Sequence, residues 1–397
     1  MKFFKPALLA VALLTTQPGG ADELQDSWET TVENAKGQTV YFNAWGGSDR
    51  INSYISWASD RISEEFGITV EHVKIGDTAE VVGQLEAAKT VGKDKDGNVD
   101  LIWINGENFA AMKRGDLTWG PFADKLPNAA LLKSSESMTM DFSVPVEGLE
   151  APWGGAQLVF IYDTAVVSEP PSSAEELLDF VSADGRFAYP APPDFHGTTM
   201  VKQLLIELTD NHDALAQPVE EADFASVTQP LWDYLDQLHP NLWGKGKSWP
   251  ASAENTRQMV DDGEIDIAIS FNPNEATAAV KSGQLPDTVR TYTFDKGTIG
   301  NTHFLTIPYN AKAKAGAMVA ANFFMNVEAQ ARKADPQFWG DLTVLDIDKL
   351  AEEEQAMFTD IDLGPWSLPL GTGITLPEPH ASWAEALEEE WLKRYGN

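Results

Sequence analysis

The chain has 397 residues, 43 % of them hydrophobic, and this length exceeds one typical core, so we expect two lobes or domains. Its 61 acidic and 28 basic residues give a net charge of −33, which argues against nucleic acid and anionic membranes as partners. The absence of cysteine excludes disulfides, thiol nucleophiles and thiolate metal sites. The acidity is typical of a solvated or salt-adapted surface, with attraction of a cationic ligand as the alternative.

Residues 1–21 have the pattern of an export signal. Lys2 and Lys5 precede nine residues of apolar character at 6–14, and a polar stretch with small residues follows. Nine residues are too few to span a bilayer, and no later segment approaches the ~18–20 uninterrupted apolar residues that a spanning helix needs. We therefore expect a signal peptide at 1–21 and a soluble, exported mature protein that starts near Asp22.

The first part of the mature chain alternates strands and helices. β-Branched and aromatic residues predict a strand at 39–45, and helical spacing of apolar residues predicts a helix over 50–66. A second strand is predicted at 68–75. The order strand, turn, helix, strand indicates a parallel βαβ unit.

The turn after the first strand is a candidate ligand contact. It contains Trp45, Gly47, Ser48 and Asp49, and places backbone N–H groups and polar side chains at a helix N-terminus. Such a turn can hold an anionic or hydroxyl group, although Ser48 and Asp49 are also good capping residues. The turn lacks the glycine patterns of nucleotide sites.

A second strand–turn–helix unit follows. The apolar stretch at 99–106 contains Trp103 and leads into a polar turn with Asn105 and Glu107. Ligands of open parallel sheets bind at the carboxyl ends of the strands, so we expect these side chains to cluster with Trp45.

The stretch 151–163 is predicted to cross between two lobes. Pro152 fixes one φ angle, and Gly154 and Gly155 permit conformations forbidden to other residues, just before an apolar strand. The alternative is an ordinary entry into a strand. The apolar run at 264–275 is predicted to be the second crossing, and Trp153 to face the cleft at the hinge.

The remaining segments add loops and helices. A short strand and a Pro-rich loop at 185–197 contain Asp194, Phe195 and His196, and 289–311 is predicted to form two strands around a turn at 295–297. Residues 328–397 are predicted to be mostly helical.

The sequence favours reversible binding over catalysis. None of the six histidines accompanies a Gly-x-Ser-x-Gly elbow or a zinc-binding HExxH helix. A carboxylate pair for glycoside cleavage stays open, because spacing in sequence shows no distances. Aromatic and amide side chains at several strand ends suit a small, partly polar ligand such as a sugar, a polyol or an organic cation. A secreted carbohydrate-active hydrolase is therefore the runner-up, and an exported adhesion module the third possibility.

The order of several motifs resembles a known family. The segments 39–55, 100–117, 151–163 and 264–279 are similar to the YnjB-like branch of the extracellular solute-binding proteins of ABC importers. The resemblance covers nearly all of residues 38–390. It implies an α/β, two-lobed periplasmic-binding-protein fold of type II. Each lobe is expected to have a mixed, mostly parallel sheet flanked by helices, and hinge strands to cross between lobes that close on a ligand.

The resemblance also implies lobe limits and contacts. Lobe one would comprise 22–152 with 273–328, and lobe two 153–272 with 329–397. The ligand contacts implied are Trp45, Gly47, Ser48, Asp49, Trp103, Asn105, Glu107, Trp153, Asp194, Phe195, Phe271, Asn272, Asn274 and Glu275.

The partners implied are a small polar solute (a sugar or polyol, a polyamine or another organic cation) and an ABC permease at the inner membrane. A monomer in the periplasm is expected, with no enzyme activity, cofactor or metal. Ferric iron is disfavoured because the eight tyrosines include no adjacent pair.

Overall fold

The computed structural model describes residues 23–368 and 373–396, so the predicted signal peptide lies outside the described residues. The helices are α1 Trp28–Ala35, α2 Asp49–Phe66, α3 Thr78–Thr90, α4 Gly106–Arg114, α5 Ala174–Ser182, α6 Phe195–Leu208, α7 His212–Leu215, α8 Phe224–Leu238, α9 Ala253–Asp261, α10 Glu275–Lys281, α11 Lys314–Phe324, α12 Val327–Ala334, α13 Glu352–Thr359 and α14 Ser382–Tyr395. The strands are β1 Thr39–Trp45, β2 Thr69–Ile75, β3 Leu101–Ile104, β4 Met140–Asp141, β5 Val144–Pro145, β6 Glu150–Gln157, β7 Val159–Asp163, β8 Ile267–Ser270, β9 Val289–Tyr292, β10 Thr298–Thr306 and β11 Thr375–Leu376.

The larger sheet has the strand order β11-β10-β3-β1-β2, and β6 pairs with the long strand β10. The strands β2 and β3 run parallel to β1, whereas β10 runs antiparallel to β3 and β6. Apolar residues of β1, α2 and α11, including Phe42, Ile55 and Phe324, form the core on one face. A second cluster, with Leu85 of α3 and Phe109 of α4, covers strand residues on the other.

The first βαβ unit forms as the sequence predicts. The strand β1 has the predicted bounds, and α2 begins one residue before the predicted start. The side chain of Ser48 accepts a hydrogen bond from Ile51 N and caps α2. Gly67 ends the helix in the left-handed conformation, at φ +67°.

The smaller sheet has the order β8-β7-β9. The strand β7 runs antiparallel to both neighbours, so this sheet differs from the mostly parallel one that we expected in each lobe. Its core contains Phe160 of β7, Leu204 of α6, Leu235 of α8 and Trp391 of α14. The larger and the smaller sheet thus each have their own core.

Between the strands of the described residues, the chain passes from one sheet to the other twice. After β6 in the larger sheet, Leu158 alone precedes β7 in the smaller one, within the predicted crossing 151–163. The return runs from β9 to β10, and Leu158 N donates a 2.8 Å hydrogen bond to Ile299 O beside it. The two strands predicted within 289–311 are therefore the second passage.

The segment 264–275 is not that passage. Its strand, β8, pairs with β7 in the smaller sheet, and Ala276 and Ala279 of α10 pack beside Ile161 of β7. An apolar strand that ends in Asn and Pro has the same sequence pattern whether it crosses or stays within one sheet. The expectation of a crossing there was wrong for that reason.

The C-terminal helices divide between the two cores. Ala331 of α12 and Phe358 of α13 pack with Leu131 and Leu345, whereas Trp383 and Trp391 of α14 belong to the core of the smaller sheet. Among the helices of the described residues, none has the length and apolarity needed to cross a membrane.

Candidate functional site

We call the elements around the larger sheet the larger lobe and those around the smaller sheet the smaller lobe. Turns and helix starts of both lobes meet at one junction. The helix α4 of the larger lobe contacts α14 of the smaller one. Nearby, Phe195 at the start of α6 packs against a small cluster formed by Ala110, Phe142 and Ala381. This junction is the candidate site.

The turn between β1 and α2 is shaped by contact with an indole ring. A Cβ atom on Gly47 would lie 2.3 Å from the ring of Trp45, so only glycine permits this approach. Trp45 is half-buried, while Gly47 and Asp49 are exposed. Ser48 caps α2, which was the alternative that the sequence left open.

The turn between β3 and α4 presents Glu107. Gly106 has φ +60°, and its N–H donates a 2.7 Å hydrogen bond to Oδ2 of the buried Asp141. A Cβ atom on Gly106 would lie 2.5 Å from the Phe142 ring, which again requires glycine. Glu107 follows in the first turn of α4, with Asn105 and Trp103 half-buried before it.

Carboxylates from both lobes lie together around one lysine, and we call this group the acidic cluster. Its members are Asp77 and Glu107 of the larger lobe, Lys202 and Glu388 of the smaller lobe, and Glu378. Lys202 Nζ lies 2.6 Å from Glu378 Oε2, and both side chains are almost fully buried. The lysine is therefore already engaged by one carboxylate.

Two carboxyl groups of the acidic cluster have shifted pKa values. Burial raises the pKa of Glu107, and the charge of Lys202 opposes the shift. Burial also raises the pKa of Glu388 to about 7, and the charges of Glu107 and Asp77 add to the increase. A 2.6 Å hydrogen bond from Thr198 Oγ1 to Glu388 Oε1 and the charge of Lys202 work against it. Both pKa shifts thus arise mainly from burial, which disfavours the charged carboxylate, and Lys202 offsets them only in part.

Trp153 does not face the cleft. It is 0 % exposed in the core of the larger lobe, where its ring makes edge contacts with Phe42, Trp103 and Phe324. The expectation that it senses closure at the hinge was therefore wrong. In the sequence a tryptophan between Pro and Gly gave no indication of which side of β6 it occupies.

Gly154 is required because a side chain there would clash with neighbouring groups, and not because a hinge needs a flexible backbone. Neither Gly154 nor Gly155 is among the residues with positive φ. A Cβ atom on Gly154 would lie 1.9 Å from His303 Nε2 and 2.1 Å from Asp341 Oδ2. The glycine thus makes room for buried polar side chains against β6.

We call this second group the sealed cluster: His303, Lys333 and Asp341. Asp341 Oδ2 lies 2.9 Å from His303 Nε2 and 2.7 Å from Lys333 Nζ, which also donates to Trp153 O. Burial by itself would raise the pKa of Asp341, but the neighbouring His303 and Lys333 hold it below its usual value. Burial lowers the pKa of Lys333, and Asp341 opposes that shift.

The segment 271–275 is occupied by contacts within the protein. Asn272 Nδ2 donates to Trp339 O at 3.2 Å, and Asn274 Nδ2 donates to Gly340 O at 2.7 Å. Glu275 forms ion pairs with arginines, and Phe271 is buried with its ring edge-on to Phe195. The polar groups of this segment therefore already have partners within the protein.

Asp194 caps α6 by accepting hydrogen bonds from His196 N at 2.9 Å and Gly197 N at 3.1 Å. Phe195 and His196 are half-buried beside it. Of the residues expected from the sequence, Glu107 and Phe195 thus lie at the junction of the lobes. Ser48, Asp194, Asn272 and Asn274 make structural hydrogen bonds, and Trp153 is in the core.

Sequence reasoning missed Glu378, Glu388 and Lys202. A single lysine within the apolar helix α6 was the available signal, because a buried ammonium group needs a carboxylate partner. Within residues 23–368 and 373–396, no group of three or more His, Asp or Glu side chains is arranged to hold a metal ion.

No family model matches the chain. The chain is 43 % identical over 370 residues to protein YnjB of Escherichia coli (strain K12), a match that covers 93 % of this chain and 94 % of the relative.

Solved structures of low sequence identity are similar to this one. One is the spermidine/putrescine ABC transporter substrate-binding protein PotD from Streptococcus pneumoniae, with 16 % identity, a TM-score of 0.61, and coverage of 91 % of this chain and 100 % of that one. Another is the periplasmic binding protein AfuA from Actinobacillus pleuropneumoniae, with 13 % identity, a TM-score of 0.61, and coverage of 91 % and 99 %. At these identities the likeness concerns the fold, and it confirms the two-lobed type II architecture expected from the sequence.

Proposed function

The chain belongs to the YnjB-like branch of the ABC-importer solute-binding proteins, and from this premise we propose that its solute is a small organic cation held between the lobes. Such a protein captures its solute in the interlobe cleft and delivers it to a membrane permease. The protein acts in the periplasm after residues 1–21 are removed, and it catalyses no reaction.

The acidic cluster carries this proposal. Glu107 from one lobe and Glu388 from the other both have raised pKa values, and Lys202 is already paired with Glu378. A cation between Glu107 and Glu388 would lower the repulsion between the carboxylates and attract both lobes at once. Closing the lobes would therefore be coupled to binding of positive charge.

The aromatic residues fit the same chemistry. Trp45 and Trp103 are half-buried at the ends of neighbouring strands, and Phe195 lies across the junction on the smaller lobe. The faces of such rings attract ammonium groups, with contributions of about 0.5–2 kcal/mol each. PotD is named for spermidine and putrescine, so polyamines are the first compounds to test.

We also propose limits for the two lobes. We assign the larger lobe to residues up to 157 together with 299–359, and the smaller lobe to 158–298 together with α14. The basis is the strand pairing of β6, β7, β9 and β10 and the packing of the C-terminal helices. These limits differ from those that the family resemblance implies.

Thermal-shift measurements against a panel of solutes test the proposal. The panel should contain polyamines and quaternary amines, neutral sugars and polyols, and sugar phosphates of similar size. At 100 times Kd a solute stabilises the folded state by about 2.7 kcal/mol, which gives a visible increase in Tm. We expect stabilisation by cationic members. Stabilisation by a neutral or anionic solute alone would refute the ligand class.

A further inference from the structure

The lobes make a second contact on the side of α2 and α10. Arg50 Nη2 lies 2.7 Å from Glu275 Oε2 and donates a hydrogen bond to it. The other carboxylate oxygen of Glu275 lies 3.3 Å from Arg257 Nε. One glutamate thus lies between two guanidinium groups.

The two arginines belong to different lobes. Arg50 lies in the first turn of α2, whose residues Ile51 and Ile55 pack into the core of the larger sheet. Arg257 lies on α9, which contacts β7 and β8 of the smaller sheet. Glu275 begins α10, whose Ala276 packs against that sheet too. Of the two ion pairs that Glu275 forms, the one with Arg50 therefore joins the lobes.

Neighbouring hydrogen bonds act at the hinge itself. Gln157 N, at the end of β6, donates to Phe271 O at 3.1 Å, and Asn274 Nδ2 donates to Gly340 O at 2.7 Å. Gly340 has φ +91°, and a Cβ atom there would lie 3.0 Å from Asn274 Cβ. These contacts involve backbone groups beside the crossing. The ion pair involves side-chain ends alone, so the lobes can separate there with little change in backbone.

We propose that Arg50 and Glu275 form a latch that holds the lobes together in the absence of solute and thereby sets the affinity for solute. Arg257 keeps the Glu275 carboxylate oriented in both the latched and the unlatched state. Solute then binds a form that is already populated, and the apparent Kd rises when that population falls. Arg50 is a positioning residue in this scheme, since it touches the other lobe rather than the solute.

The surroundings make the latch sensitive to salt. Arg50 retains 33 % of its side-chain exposure and lines a groove of about 720 Å³ between α10 and α13, whereas Glu275 retains 14 %. Ions from solvent can therefore reach the guanidinium group and screen the pair.

The distance between the lobes, measured without any solute, tests the latch. The chain contains no cysteine, so Glu80→Cys and Glu385→Cys give two unique labelling sites on exposed residues of α3 and α14. Fluorescence energy transfer between the labels then reports the separation of the lobes. We expect Arg50→Gln and Glu275→Gln each to shift the distribution to longer distances, and Arg50→Lys to restore part of the short-distance population.

A matched control lies on the same helix. Arg61 also pairs with glutamates, at 3.0 Å to Glu64 and 3.4 Å to Glu328, but both partners belong to the larger lobe. Arg61→Gln should leave the distance distribution unchanged. Salt at about 1 M should lengthen the distances in the unsubstituted protein and change them little in the Arg50→Gln variant.

Two results would overturn the latch. One is a distribution that Arg50→Gln does not shift, and the other is an equal shift with Arg61→Gln. Once a solute is identified, Arg50→Gln should raise its Kd by three- to tenfold, and tenfold corresponds to about 1.4 kcal/mol. Because the distance measurement contains no solute, it is independent of whether the solute is a cation.

Discussion

The acidic cluster and the sealed cluster both lie beside the junction of the lobes, but their charges are balanced differently. In the sealed cluster Asp341 has two basic neighbours within 2.9 Å, and all three side chains are buried. In the acidic cluster four carboxylates share Lys202, and Glu107 and Glu388 stay partly exposed. In the first arrangement the carboxylate is matched by two basic groups, whereas in the second four carboxylates have one lysine between them.

The two clusters illustrate how charged side chains that stabilise the fold differ from those that we assign to binding. A buried ionic group with all its partners contributes to the fold, and removing one partner is costly because it leaves an uncompensated charge. Carboxyl groups whose pKa values are raised by burial reduce stability at neutral pH, and we propose that those of the acidic cluster serve binding. Substitutions in the two clusters should therefore affect different measurements.

The largest effect is expected in the sealed cluster. Asp341→Ala leaves Lys333 and His303 buried without their carboxylate, so we expect a loss of about 3–5 kcal/mol in the free energy of unfolding. Urea unfolding followed by tryptophan fluorescence measures it. A loss below about 1 kcal/mol would mean that the cluster is not a structural unit.

The two adjacent glycines of β6 should differ in their tolerance of alanine. Gly154→Ala places a methyl group where His303 and Asp341 lie, and we expect a loss of about 1–3 kcal/mol in unfolding free energy. Gly155→Ala is the matched control, because the nearest atom there, Leu342 Cβ, is 3.4 Å away. Equal losses at both positions would point to a conformational requirement of the Gly–Gly pair instead.

In the acidic cluster we expect an effect on binding without a loss of stability. Glu107→Gln removes a carboxylate from the cleft, and we expect the Kd for a cationic solute to rise about tenfold, or about 1.4 kcal/mol. The free energy of unfolding should stay the same or rise, because burial disfavours the charged form of Glu107. Glu86→Gln, at an exposed position on α3, controls for the change in net charge. A large loss of stability with unchanged Kd would assign Glu107 to the fold.

Glu388 should make the stability of the protein depend on pH. Its pKa rises from 4.5 to about 7 on folding, so the folded state binds more protons than the unfolded state between these values. The free energy of unfolding should therefore decrease as pH rises from about 4.5 to 7, and Glu388→Gln should remove that part of the slope. Affinity for a cation should increase over the same range. The exposed neighbour Glu389 provides the control Glu389→Gln, which should leave the slope unchanged.

Much of the fold was predictable because local patterns specify it. Alternating strands and helices, with Ser48 and Gly67 at the ends of α2, predicted the first βαβ unit, while the chain length and the family resemblance predicted two lobes. The crossing at Leu158 followed from the composition of 151–163. The return passage was misplaced, because the apolar strand β8 has a composition that also suits a crossing, and only its pairing with β7 shows that it stays in the smaller sheet.

The site was less predictable because it depends on contacts between distant parts of the chain. Glu107 was expected from its place after β3, but its neighbours Glu378 and Glu388 lie more than 250 residues away in sequence. Trp153 and Glu275 have the residue types of a binding site, yet one is enclosed by aromatic rings and the other by two arginines. Residue type alone therefore did not separate cleft from core.

Calorimetric titration of the purified mature protein with spermidine, putrescine, a neutral sugar and fructose 6-phosphate tests the central claim most directly. The account predicts stoichiometric binding of an organic cation that weakens with salt and about tenfold with Glu107→Gln. Tight binding of the sugar or the phosphate, unaffected by Glu107→Gln, would contradict it.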